Sequence, residues 1–266
     1  MAAALLYFCL FLGAVPDNNP PEIYEVQRSA KTLKALGYEE DREPEGKTIA
    51  FIRIVPQEVF AADEPYPVFL NDLRFRTRSE VIQRELLFEE GQAYRQADIL
   101  ESTRNLRGMV IFSLVKLIAV RGESPGEVGV VVFTRDLWSL RVEQAFQLTG
   151  SQVDEITVQL TERNLFGRGK LAAINVQVFP MTFAVGQIYS DRRVWGAPLS
   201  LFESVSLIFN RESGEAEGSV SQLMFGKPLF SLSQQWAFGV SFAFDERIAR
   251  QVQTGEVRTY DIPETP

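Results

Sequence analysis

WAFGVSFAFD, Trp236 to Asp245, alternates without a break. Trp236, Phe238, Val240, Phe242 and Phe244 share one face, and Ala237, Gly239, Ser241, Ala243 and Asp245 share the other. Successive side chains on a strand point to opposite sides, so a period of two means a strand with one apolar face and one small or polar face. Four of the five large residues are aromatic, and the run is ten residues long. A strand crossing a bilayer at a tilt needs about 9–11 residues. A soluble β-sandwich also alternates, but its strands run about five or six residues.

The same pattern extends upstream. Leu140, Val142, Phe146 and Leu148 alternate with Arg141, Glu143, Ala145 and Gln147. Ile156, Val158 and Leu160 alternate with Glu155, Thr157, Gln159 and Thr161, and Ala172, Ile174, Val176 and Val178 with Asn175 and Gln177. Phe183, Val185 and Tyr189 mark a weaker segment; Leu199, Leu201, Val205, Leu207 and Phe209 a strong one; Glu217 to Phe225 a poorly patterned one. With Trp236–Asp245 this makes seven segments over residues 136–266. Alternating segments of roughly ten residues separated by turns predict antiparallel transmembrane β-barrel strands. Small and polar residues on the second face suit a wet or tightly filled interior. Mean hydropathy is −0.05, which excludes little, because a barrel strand averages its lipid and lumen faces.

Residues 48–135 read differently. Thr48 to Val55 (TIAFIRIV) is a strand. Thr77 and Glu80 have the spacing of a capping box opening a first helix, with Val81, Ile82 and Leu86 along it. Gln96 to Arg107 forms a second helix with Ile99, Leu100, Thr103 and Leu106 inward. Val110 to Val120 and Glu127 to Thr134 form two more strands about a Ser124-Pro125-Gly126 turn. The order is β-α-α-β-β, an α+β domain.

At the N-terminus, Ala2 to Val15 (AAALLYFCLFLGAV) is shorter than the roughly 20 residues of a spanning helix. It has the length of a signal-peptide core, ending on small residues, although no Lys or Arg precedes it. A buried strand or helix is the alternative. The expectation is a signal peptide over 1–16 and a breaker-rich periplasmic linker over 17–47, with a short helix near Gln27 to Leu36.

Composition narrows the function. A net charge of −8 provides no positive footprint for nucleic acid. The chain has no histidine, and its one cysteine, Cys9, lies in the apolar leader. This removes histidine triads, common zinc sites, thiol catalysis and disulfides from a mature chain. The acidic runs Glu39-Glu40-Asp41 and Glu89-Glu90 read as solvated surface. No catalytic, metal or cofactor site is expected.

Thr161 to Lys170 (TERNLFGRGK) resembles a segment of the BamA/TamA-type outer-membrane assembly family, the bacterial surface antigen family. The resemblance spans about residues 48–246. It implies that Asn164, Leu165, Phe166, Gly167 and Gly169 form a short periplasmic turn between early barrel strands, where glycine accommodates positive φ. The 48–135 unit looks like a POTRA domain, and Arg78 to Tyr94 resembles its first helix and following turn. By resemblance, unfolded outer-membrane clients add a strand to the edge at Val110, Phe112, Leu114, Lys116 and Ile118. Leu140, Val142, Phe146 and Leu148 resemble the gate strand.

The implied function is outer-membrane protein assembly or translocation, with outer-membrane lipid, clients and other assembly subunits as partners. The sequence departs from the family in showing one POTRA-like unit and seven strands, an incomplete barrel, and no R-G-F-type loop motif. The expectation is therefore a portion of a longer protein or of a split gene, unable to insert alone. A two-partner secretion transporter, a barrel anchor, and a soluble periplasmic β-protein are the alternatives.

Overall fold

The computed structural model describes residues 4–9, 29–57, 75–149, 152–253 and 256–260. The chain runs β1 (Ala4–Cys9), α1 (residues 29–35), β2 (Thr48–Gln57), α2 (Ser79–Gln83), α3 (Gln96–Arg107), β3 (Phe112–Arg121) and β4 (Glu127–Asp136). Seven strands follow: β5 (Leu140–Thr149), β6 (Gln152–Glu162), β7 (Leu171–Val178), β8 (Thr182–Asp191), β9 (Ser200–Asn210), β10 (Ala216–Lys227) and β11 (Phe238–Arg247). A hairpin, β12 (Ala249–Gln253) and β13 (Glu256–Tyr260), comes last.

β2, β4 and β3 form one sheet in that order, β2 parallel and β3 antiparallel to β4. The central strand β4 is a near-continuous apolar run because both its faces are covered. Val128, Val130 and Val132 pack with Ile82, Ile99, Leu106 and Phe88 from the α2–α3 side. Val131 and Phe133 pack with Leu33 of α1, Ile118 and Val120, and Tyr38 and Phe51 border that cluster. Each fully buried valine contributes on the order of 1.5–3 kcal/mol by leaving water. Gly129 has no side chain because the Phe51 ring lies over it; a Cβ there would stand 2.2 Å from that ring.

Three local expectations are corrected. Thr77 does not cap α2: the N-cap residue is Arg78, without a side-chain cap, and the Thr77 hydroxyl donates to Asp136 instead. Leu100 is exposed, and Ser102 takes the buried position on α3 with its Oγ donating to Asp98 O and accepting from Leu87 N–H. Residues 29–47, read as linker, pack on the sheet through Leu33 and through the Asp41 N–H, which donates to Ala119 O.

The second sheet runs β1-β5-β6-β7-β8-β9-β10-β11, antiparallel throughout and open, with β1 and β11 outermost. Its seven strands β5 to β11 coincide with the seven alternating segments. Register aligns like with like: Phe146 opposite Ile156, Val158 opposite Val176, Val185 opposite Leu207, Leu223 opposite Phe242. The result is a continuous exposed apolar face carrying Val142, Val158, Leu160, Ile174, Val176, Val185, Leu207 and Phe242. The other face holds Thr157, Gln159, Asn175, Gly186 and Ser206. It is tightly filled at Gly186, where a Cβ would lie 2.3 Å from both Asn175 Oδ1 and Ser206 Oγ. Among the described residues no second sheet packs on the apolar face, unlike a sandwich. Among them, too, no helix is long and apolar enough to cross a membrane, which says nothing of strands.

Candidate functional site

The residues assigned to client binding lie on or beside β3. Val110 precedes the strand, in a turn at φ 58°, and so is not an edge residue. Phe112, Leu114 and Ile118 point into the domain's own core. Lys116 Nζ donates to Ser29 Oγ at 3.2 Å. The end of the outer edge of β3 is occupied: the Arg121 N–H donates to Glu39 O at 2.9 Å, and Glu40 bridges to Val120. Phe112, Leu114 and Ile118 thus serve packing, and Lys116 bonds within the domain.

Leu140, Val142, Phe146 and Leu148 lie on β5, with Leu140 and Val142 exposed on the apolar face. One edge of β5 pairs with β6. The other carries β1, the apolar stretch read as a signal core, in antiparallel register from Ala4 opposite Leu148 to Cys9 opposite Glu143.

Asn164 to Gly169 form a tight turn between β6 and β7, with positive φ at Gly167 and Gly169. The turn also docks on the α+β domain. Buried Asn164 accepts the Gly169 N–H at its Oδ1 (2.8 Å) and donates from Nδ2 to Thr77 Oγ1 (2.9 Å). Thr77 in turn donates its N–H and hydroxyl to the two oxygens of Asp136, at 3.0 and 2.8 Å. The Arg78 N–H donates to Gly167 O at 2.9 Å. A Cβ on Gly167 would stand 2.1 Å from Arg76 O, so glycine is needed for this approach as well as for its φ.

The sequence reading missed that this turn is repeated. Glu162-Arg163-Asn164-Leu165-Phe166-Gly167 is echoed by Asp191-Arg192-Arg193-Val194-Trp195-Gly196 between β8 and β9. In both, the leading carboxylate accepts the N–H two residues on, at 2.7 Å (Glu162 to Asn164) and 2.9 Å (Asp191 to Arg193). The aromatic residue takes nearly the same left-handed conformation, φ 54° at Phe166 and 52° at Trp195. The acid–Arg–x–aliphatic–aromatic–Gly pattern was visible in the sequence.

The second turn docks through charge. Arg193 donates from Nε and Nη2 to the two oxygens of Glu85, at 2.8 and 3.0 Å. Side-chain exposure is 13% for Arg193 and 2% for Glu85, so the pair is held out of water. The guanidinium also lies 4.0 Å from the centroid of Phe230. Arg192 Nη1 donates to Gly108 O. Phe230 belongs to the loop between β10 and β11, which makes a third contact: Asn105 Nδ2 donates to Phe230 O at 3.0 Å, and the Leu232 N–H donates to Glu101. Three successive turns at one end of the sheet thus clamp the α+β domain.

The acidic runs are structural: Asp41 pairs with Lys47, and Glu90 accepts the Ile52 N–H at 2.9 Å. The Lys47 ammonium holds the Asp41 carboxyl below its usual range, against an opposing effect of burial.

No family model matches the sequence. A putative outer membrane protein assembly factor of Treponema pallidum is 25% identical over 178 residues, covering 64% of this chain. The chain spans only 20% of the length of that relative. Among solved structures, BamA from Haemophilus ducreyi lacking POTRA domains 1–3 shares the fold with a TM-score of 0.50 at 12% identity, over 88% of this chain and 46% of that one. CdiB from Acinetobacter baumannii aligns with a TM-score of 0.43 at 10% identity, over 87% of this chain and 64% of that one.

Proposed function

On the BamA/TamA-type assignment that the sequence match and the shared fold together support, we propose that this chain forms the client-entry part of an outer-membrane assembly or translocation factor. The α+β domain is the POTRA unit and lies in the periplasm; strands β5 to β11 lie in the outer membrane. Residues 1–16 act as an export signal. Unfolded outer-membrane proteins pair with the outer edge of β5, and other assembly subunits join the α+β domain.

The observation that carries this reading is the edge of β5, where a six-residue apolar segment already pairs in antiparallel register. Strand addition supplies affinity through backbone hydrogen bonds, so such an edge accepts many sequences. Lipid strengthens the case, because an unpaired backbone group in hydrocarbon costs several kcal/mol. β5 suits the role better than β3: the segment on β5 belongs to residues 1–16, read here as the export signal, whereas the residues on the end of β3, Glu39 and Glu40, belong to the folded α+β domain.

The test places a photoreactive amino acid at Val142 or Phe146, with Val176 as control, in the full chain expressed in a Gram-negative cell. Crosslinks to newly made outer-membrane proteins from the two β5 positions, and not from Val176, are expected. Equal labelling from all three, or none from β5, refutes strand addition at this edge.

A further inference from the structure

A carboxylate interrupts the apolar face of the second sheet. Register sets Leu160, Ile174, Gln187 and Val205 in one cross-strand row, and Ala172, Tyr189, Glu203 and Leu223 in the next row toward the turns. Gly186 and Ser206 share the opposite face with Asn175, so Gln187 and Glu203 stand on the face that carries Ile174, Val185, Leu207 and Leu223. Gln187 Nε2 donates to Glu203 Oε1 at 2.6 Å. Among the described residues no cation pairs with this carboxylate, and its second oxygen accepts no hydrogen bond. Lys170 is not its partner, being taken up by Asp191 at 2.8 Å and by the Tyr189 hydroxyl at 3.2 Å. An ionisable group facing acyl chains is unfavourable when left alone, and one retained there marks a site with a partner.

We propose that Glu203, held in place by Gln187, binds the ammonium of an aminophospholipid from the leaflet at the turn end of the sheet. The inference rests on the membrane reading above and adds a lipid site to it. Glu203 is the fourth residue of β9, counted from Ser200 at the turn end. At about 3.3 Å per residue and a tilt of about 45°, it lies about 7 Å in from that end. A headgroup reaches this depth where the leaflet yields locally, at modest cost per ångström. The open carboxylate oxygen calls for a charged N–H donor, which ethanolamine has and choline lacks. Exposed Ile174, Val185 and Leu207 beside it offer apolar surface to the acyl chains of the same molecule, so one lipid satisfies both parts of the site.

The experiment uses the full chain in phosphatidylcholine vesicles containing phosphatidylethanolamine and a tracer lipid with a photoreactive acyl chain. Dicyclohexylcarbodiimide, which dissolves among acyl chains, activates the carboxylate. An amine in contact then attacks the carbonyl carbon, forming an amide and releasing dicyclohexylurea. Adducts are located by peptide mass, with Glu203→Gln as the blank and exposed Glu212 as the reference. Because a bound amine reacts at a high effective concentration, the phosphatidylethanolamine amide is expected at Glu203 at least about tenfold above Glu212. Photolabelling of the peptides bearing Ile174 and Val185 reports the lipid face. Labelling there with no such excess at Glu203 overturns the lipid site and leaves the membrane reading standing. If the peptides are not labelled, the membrane reading fails, and the site with it. Equal coupling of soluble phosphoethanolamine, added to vesicles of phosphatidylcholine alone, overturns the lipid as the source. A crosslink from Glu203 to a lysine of another chain overturns it in favour of a protein partner.

Discussion

Arg193→Ala tests whether the three turn contacts form one clamp. The change removes two hydrogen bonds to Glu85 and the guanidinium over Phe230, and leaves a carboxylate whose side chain is 2% exposed facing no cation. Breaking a buried pair by removing one partner costs about 3–5 kcal/mol, mostly from the charge left behind. The Arg78 amide is a distant reporter, since its acceptor, Gly167 O, belongs to a different turn. If the clamp opens as a unit, its hydrogen exchange in the full chain accelerates roughly a hundred- to several-thousand-fold. Glu85→Leu combined with Arg193→Leu removes both charges and recovers much of the loss, because apolar replacements of similar volume often match a buried pair. Unchanged exchange at Arg78 in Arg193→Ala would show that the contacts open independently. A double variant as damaged as the sum of the singles would show that the stranded charge is not the cause.

Gly167→Ala puts a methyl group 2.1 Å from Arg76 O at φ 70° and should likewise speed Arg78 exchange, whereas Gly126→Ala, with open space around it, should not. Asp41 has a carboxyl held below its usual value by Lys47, so its stabilising contribution is present above the ordinary carboxylate pKa and disappears as pH falls through the lowered one. Exchange at the Asp41 and Arg121 amides, which tie residues 39–41 to β3, should therefore rise with acid in the native chain and vary less in Asp41→Asn.

The strands were legible because one face of each is apolar and a one-residue slip would turn that face inward. β10 was faint for the same reason: Ser219 and Ser221 lie opposite Leu207 and Val205, in the line where its neighbours carry apolar residues. The capping box was misread because a local rule assigned Thr77 to its helix, while Asp136, 59 residues away, offered two acceptors. Leu100 fitted the helical period but falls outside the stripe that meets the sheet. Glu85 and Arg193 are 108 residues apart, and no local pattern pairs them. The repeated turn was readable from spacing alone; the reason for its glycines was not, because the Arg76 carbonyl that crowds Gly167 comes from another domain.

The clamp also bears on the order of folding. Neighbouring strands of the meander join through short turns, and their pairing closes small loops. The contacts of the clamp close loops of 87 residues (Asn164 to Thr77), 108 (Arg193 to Glu85), 125 (Asn105 to Phe230) and 131 (Leu232 to Glu101). Entropy of closure rises with loop length, and non-local contacts form slowly. The α+β domain and the hairpins therefore assemble as separate pieces, and the joint between them sets last, once the third turn exists to receive Asn105.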